Sequence, residues 1–187
     1  MYRHLLVPTD HSPLSIQAAE QAVKLAASLG ARITFFYAVQ APTILNYIFE
    51  ATPDLDVNPS LLSTEQIRER MQNLADGHLH QLLNLAAAGG VIAAAESCIS
   101  DQPYAAIIKA AESFGCDLIL MASHGRRGVE ALVLGSETQK VLTHCSLPVL
   151  VWRAAGQAAD QAGLASGSRH LSESQPAGPA SISSPRS

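Results

Sequence analysis

Large rings are scarce in this chain of 187 residues, where aromatics make up 5%. The core must therefore be assembled from the Ala, Val, Leu and Ile that carry the hydrophobic fraction to 48%, and the length suffices for one such core. Basic residues are also few. Twelve Lys and Arg face sixteen Asp and Glu, a net charge of −4. No broad basic face is left to draw DNA, RNA or anionic lipid by counterion release, so nucleic acid is not an expected partner. The only cysteines, Cys98, Cys116 and Cys145, are widely separated, sit beside apolar residues and lack C-x-x-C spacing. They read as buried free thiols of a reducing compartment. No apolar run approaches the ~18 residues of a membrane span. The N-terminal stretch turns polar at Thr9-Asp10 before a signal-peptide core can develop. The expected location is the cytoplasm.

Catalytic groupings are missing too. No carboxylate pair, Ser-His pair or activated thiol stands out, and His4, His11, His78, His80, His144 and His170 show no spacing that converges on a metal. Their expected roles are structural or on the surface, with His78 on the apolar side of its helix.

What is present is an alternation of two periods. His4 to Val7 is a short apolar strand. Ser12-Pro13 opens a helix with a capping hydroxyl and a proline at the first position, Ile16, Ala19, Val23 and Ala26/Ala27 recur on one face, and Gly30 ends it. Arg32 to Val39 is a second strand. Residues 40 to 63 form a long proline-punctuated connection with room for a short helix around Ile44 to Glu50. Thr64 to Ala88 is the longest helix, with Ile67, Met71, Leu74, Leu82 and Leu85 on one stripe, and Gly89-Gly90 stops it. Val91 to Ile99 is a third strand, and Asp101-Gln-Pro103 opens a helix through Phe114. Asp117 to Ala122 is a nearly all-apolar fourth strand, Ser136 to His144 the last helix, and Pro148 to Trp152 the last strand. This order predicts an α/β fold: an open five-stranded parallel sheet with helices on both faces. From Ala154 the chain turns to Ala, Ser, Gly and Pro without an apolar face. The expected organisation is a domain over 1–153 and a disordered tail over 154–187.

Ligands on such sheets sit at the carboxyl ends of the strands. Two segments meet that description. Asp10 directly follows the first strand, where it could accept from an adenine amino group or a ribose hydroxyl, or lie near a metal bridging phosphates. The fourth strand runs into Ser123-His-Gly-Arg-Arg-Gly128, and then Leu134-Gly135-Ser136 opens a helix. Glycines let the main chain approach an anion, and N–H groups at a helix start attract one. Gly135, Ser136 and Thr138 offer N–H and hydroxyl donors, His124 could donate to a phosphate, and Arg126 or Arg127 could neutralise it. Ser136 and Gln139 match a capping box. Glu137, in the first turn, should point away from an anion. The bland alternative is that the glycines only make turns and Ser136 only caps. The last strand, short and apolar, should lie at a sheet edge and pair with its copy, burying Val149, Val151 and Trp152 in a two-fold dimer.

These residues together resemble the universal stress protein family over residues 1–153. The resemblance rests on His4-Leu-Leu-Val-Pro-Thr-Asp10-His-Ser12, Tyr37-Ala-Val39, Asp117 through Gly128, Leu134-Gly135-Ser136 and Pro148-Val-Leu-Val151. It implies a Rossmann-like sheet of the adenine nucleotide alpha hydrolase-like type, a homodimer through the last strand and, in one subgroup, ATP binding. That subgroup's pattern G-2x-G-9x-G-[S/T] falls here on Ala122, Gly125, Gly135 and Ser136, with alanine in place of the first glycine. By the same resemblance Pro8, Thr9, Asp10 and Val39 flank the adenosine. Met121, Ala122, His124, Gly125, Gly135, Ser136, Glu137 and Thr138 contact ribose and phosphates. His11 stands where the family commonly has glycine and could crowd or stack on the base. The expected function is a stress-response sensor or regulator that binds ATP, or AMP or ADP, with Mg²⁺ as a candidate companion and a protein partner of unknown identity. The alternatives are a nucleotide-independent dimeric interaction module and a slow ATPase using Asp10 and a metal.

Overall fold

All five residues of β1 (His4–Pro8) are buried, which a strand achieves only when both of its faces are covered. In the computed structural model it is the middle strand of a five-stranded parallel sheet with the order β3-β2-β1-β4-β5. Residues 1–40, 63–125 and 134–153 are described here, all within the unit Met1–Ala154. The predicted short helix near Ile44, the loop residues Arg126 and Arg127, and the tail lie outside them.

The described elements after β1 are α1 (Pro13–Leu29), β2 (Arg32–Val39), α2 (Thr64–Ala88), β3 (Ala93–Ile99), α3 (Pro103–Ser113), β4 (Leu118–Ala122), α4 (Ser136–His144) and β5 (Val149–Trp152). The chain moves outward from β1 to β2 and β3, then returns to place β4 on the other side of β1. A crevice therefore opens between the carboxyl ends of β1 and β4.

Alternation along the strands divides the core in two. Leu5, Val7, Ile33, Phe35, Leu118 and Leu120 pack against α1 and α2. Leu6, Phe36, Ile119 and Met121 face Ile107 and Ala111 of α3 and Val141 of α4. The buried stripe of α1 is Leu14, Ser15, Ala18, Ala19, Ala22, Val23 and Ala26, so Ala27 turns out to solvent and Ile16 is half-buried. Its alanines let the helix lie close on the sheet. The Ser12 hydroxyl accepts from the Ser15 N–H at 3.2 Å, and Gly30 ends the helix at φ 64°. A capping box starts α2. Gln66 N–H donates to the Ser63 hydroxyl at 3.2 Å, and Ser63 N–H donates to Gln66 Oε1 at 2.9 Å.

The capping box predicted for α4 does not form. Ser136 is already the first helical residue, and Gly135, extended at φ −58° and ψ 147°, occupies the cap without a side chain to offer. At the far edge, β5 exposes Leu150 and half-buries Val149, Val151 and Trp152. Among the described residues no helix is long and apolar enough to cross a membrane.

Candidate functional site

The turn from β1 into α1 is held by its own short side chains. Thr9 N–H extends the pairing with β2 by donating to Phe36 O at 2.9 Å. The Thr9 hydroxyl accepts from His11 N–H and lies 3.2 Å from the Ser15 hydroxyl. Asp10 Oδ1 accepts from Ser12 N–H at 3.0 Å. These bonds bring His11 into the left-handed region at φ 62°, which explains why a glycine would suit that position. The His11 ring stacks on His78 of α2 with centroids 3.3 Å apart and planes 2° from parallel, and His78 is tilted against Tyr37. His11 thus packs on a helix.

The end of β4 is fixed with equal care. Ser123 N–H donates to Trp152 O at 2.8 Å, Gly135 N–H donates back to Ser123 O at 2.8 Å, and the Thr138 hydroxyl donates to Ala122 O at 3.0 Å. Two of the expected anion donors, the Gly135 N–H and the Thr138 hydroxyl, are therefore spent on closing the loop onto β4. The N–H groups of Ser136, Glu137 and Thr138 donate to no other described residue, and these are the orphan donors of a helix start. Gly125 and Gly135 are required by contact. A Cβ at Gly125 would run into Asp10 Oδ2, and one at Gly135 would lie 3.0 Å from His124 Cα.

A cleft of about 260 Å³ fills the crevice. Pro8, Thr9 and Asp10 line one wall; Met121, Ala122, His124 and Gly125 line the opposite one; Gly135, Ser136, Glu137 and Thr138 close its end. Val39 does not line it: its side chain is buried in the core at 2% exposure, whereas Tyr37, Ala38 and Gln40 line the cleft. Arg126 lies outside the described residues. Ser15, Pro103 and Ile107 also line the cleft. Nothing local in the sequence marks Pro103 and Ile107, which arrive through packing of α3 on β2, β1 and α4.

Polar chemistry concentrates at the α4 end. Ser123 Oγ lies 3.1 Å from His124 Nδ1, but at 3% exposure Ser123 serves to fix the imidazole and is closed to a substrate. Glu137 turns to α3, where Oε2 accepts from Tyr104 N–H at 2.9 Å and Oε1 pairs with Lys140 Nζ at 2.8 Å. Among the described residues no group of three or more His, Cys, Asp or Glu could hold a metal ion. The cysteines are free: Cys116 is buried, with burial pushing its thiol up to about 11, and Cys98 and Cys145 are half-buried. The arrangement can bind an anion beside an apolar surface.

The sequence profile of the Universal stress protein family matches residues 1–153. Universal stress protein MJ0531 of Methanocaldococcus jannaschii is 29% identical over 151 residues, covering 81% of this chain and 82% of its own. The solved structure of MJ0577, from the same organism, matches with a TM-score of 0.67 at 22% identity over 83% of this chain and 99% of that one. A universal stress protein in complex with cAMP matches with a TM-score of 0.57 at 19% identity over 82% of this chain and 98% of that one. The Archaeoglobus fulgidus universal stress protein in complex with dAMP matches at 0.54 and 15%, over 81% and 98%. With the sheet order β3-β2-β1-β4-β5 and a profile match across the whole of that sheet, this chain belongs to the universal stress protein family.

Proposed function

We propose that this chain binds an adenine nucleotide in the crevice between β1 and β4 and acts as a cytoplasmic sensor or regulator in a stress response. One observation carries the reading: three N–H groups at the start of α4 that donate to no other described residue border a cleft whose neighbouring positions, Gly125 and Gly135, are too crowded for a side chain to enter without displacement. That combination suits a phosphate. Tyr37, Ala38, Ile107 and Met121 give the cleft an apolar surface that suits a flat base. Asp10, which also lines the cleft, would serve the ribose hydroxyls. His124, held by Ser123, would donate to a phosphate oxygen. Arg126 would add charge neutralisation from the loop. The alanine at the first motif glycine is compatible with the site, since Ala122 is 7% exposed and packed in the core against α1 and α2. The two family structures solved with cAMP and dAMP support an adenine ligand.

ATP, ADP and AMP all share the groups this site would recognise, and Mg²⁺ would accompany the longer phosphate chains. A second copy joined through β5 is the dimer we assign, on the strength of the exposed Leu150 edge. The test is to release ligand by heat from freshly purified protein, identify it by chromatography, and titrate the emptied protein with ATP, ADP and AMP with and without Mg²⁺. Co-purified adenine nucleotide and saturable heats are expected. No adenine absorbance and no heat at high micromolar concentration would instead favour a nucleotide-independent interaction module.

A further inference from the structure

Two helices begin at the end of the cleft, and each needs an acceptor for its first N–H groups. The N–H groups in the first turn of α4 donate to no other described residue. α3 is treated differently: its cap residue, Gln102, makes no side-chain bond, and the carboxylate of Glu137 supplies the missing acceptor from α4. That carboxylate is fixed from both sides. Oε2 is held by Tyr104 N–H at 2.9 Å, Oε1 by Lys140 Nζ at 2.8 Å, and Lys140 itself lies over the Tyr104 ring at 5.3 Å. Glu137 retains 32% side-chain exposure and lines the cleft beside Thr138 and Pro103.

A helix turn rises only about 5.4 Å, so this fixed negative charge stands within roughly one turn of the N–H groups that would take the ligand's phosphate. Lys140 neutralises it in part, as does the positive start of α3. We infer that Glu137 is a specificity-determining residue that limits how much negative charge the site accepts, favouring a nucleotide with a single phosphate and making the binding of a polyphosphate chain depend on a divalent cation. This rests on the nucleotide reading above. A single phosphate is held by the α4 N–H groups, whereas each further phosphate brings added charge toward a carboxylate that cannot swing away without uncapping α3. A divalent cation bound to the phosphate chain cancels that repulsion.

The substitution Glu137→Gln isolates the effect, because the amide oxygen can still accept from Tyr104 N–H while the charge is gone. In metal-free titrations at low salt, wild type should bind AMP more tightly than ATP. The Gln variant should gain on the order of tenfold in ATP affinity with AMP affinity changed less than about threefold. Excess Mg²⁺ should largely erase the difference. Lys140→Gln should act in the opposite direction, widening the preference for AMP. Thermal unfolding of both variants within a few degrees of wild type confirms that α3 stays capped. If wild type binds nucleotide but Glu137→Gln shifts ATP and AMP affinity equally, or neither, the inference is overturned while the binding function stands. Failure of every form to bind any nucleotide overturns both.

Discussion

Adding one methyl group at Gly125 should be costly, and removing the carboxylate of Asp10, far earlier in the chain but beside it in the fold, should undo the cost. Gly125 is not among the left-handed glycines, so alanine meets no backbone strain there. The obstacle is contact: the new Cβ would overlap Asp10 Oδ2 and lie 3.1 Å from Asp10 Cγ. Asp10 cannot simply rotate, because Oδ1 accepts from the N–H of Ser12, a residue 4% exposed. Breaking that bond costs about 1 kcal/mol, and up to about 3 kcal/mol if the buried donor stays unpaired. Forcing the loop outward instead is overpacking, at about 1–3 kcal/mol. Gly125→Ala should therefore destabilise the protein by about 2 kcal/mol. Asp10→Ala alone should cost about 1–3 kcal/mol, because it removes the acceptor of the buried Ser12 N–H. The double variant should cost little more than Asp10→Ala, since the space vacated by the carboxylate accepts the methyl. The coupling is then about 2 kcal/mol. Urea unfolding of nucleotide-free protein, followed by circular dichroism and Trp152 fluorescence, measures it: 2 kcal/mol moves the midpoint by roughly 1 M at a typical slope. Costs that simply add, within about 0.5 kcal/mol, would refute the claim that Asp10 and Gly125 are pressed together.

Thr138→Val should destabilise by about 1–3 kcal/mol, because it leaves Ala122 O without its donor at a site 3% exposed, while Thr138→Ser should stay near wild type in the same unfolding assay. Burial, with the Arg32 charge, holds the His4 pKa below its ordinary 6.5. The unfolded chain therefore takes up the proton first, so the stability contributed by neutral His4 is present above pH 6.5 and lost as pH falls through 6.5 toward the folded value. Urea midpoints from pH 8 to 5 should show that fall, and His4→Gln should flatten it. Cys116, held up at about 11 by burial, should resist iodoacetamide at pH 8 until denaturant is added, as mass spectrometry of the labelled peptide would record. Leu150→Lys should convert a dimer of the 19.7 kDa chain into monomer in light scattering without changing its circular dichroism.

Local chemistry in the sequence settled the order and type of the elements. Ser12-Pro13 and Gly30 bound α1 because a cap, a proline and a left-handed glycine act within a few residues of where they stand. A short all-apolar run such as Leu118–Ala122, bounded by polar residues, suits a strand covered on both faces. The same local grammar placed Asp10 and the glycine loop at strand ends, and so the cleft. What it could not decide was which donors remain available. Gly135 N–H and the Thr138 hydroxyl look like anion ligands until β4 comes near enough to claim them. Glu137 turns to Tyr104, His11 to His78, and Val39 into the core, each for a partner distant in the chain or a register fixed by the sheet. Capping and turn preferences depend on a few neighbouring dihedrals and are written in order along the chain. The commitment of a hydrogen-bond donor or a carboxylate depends on what the fold brings within 3 Å, and only the assembled sheet decides that.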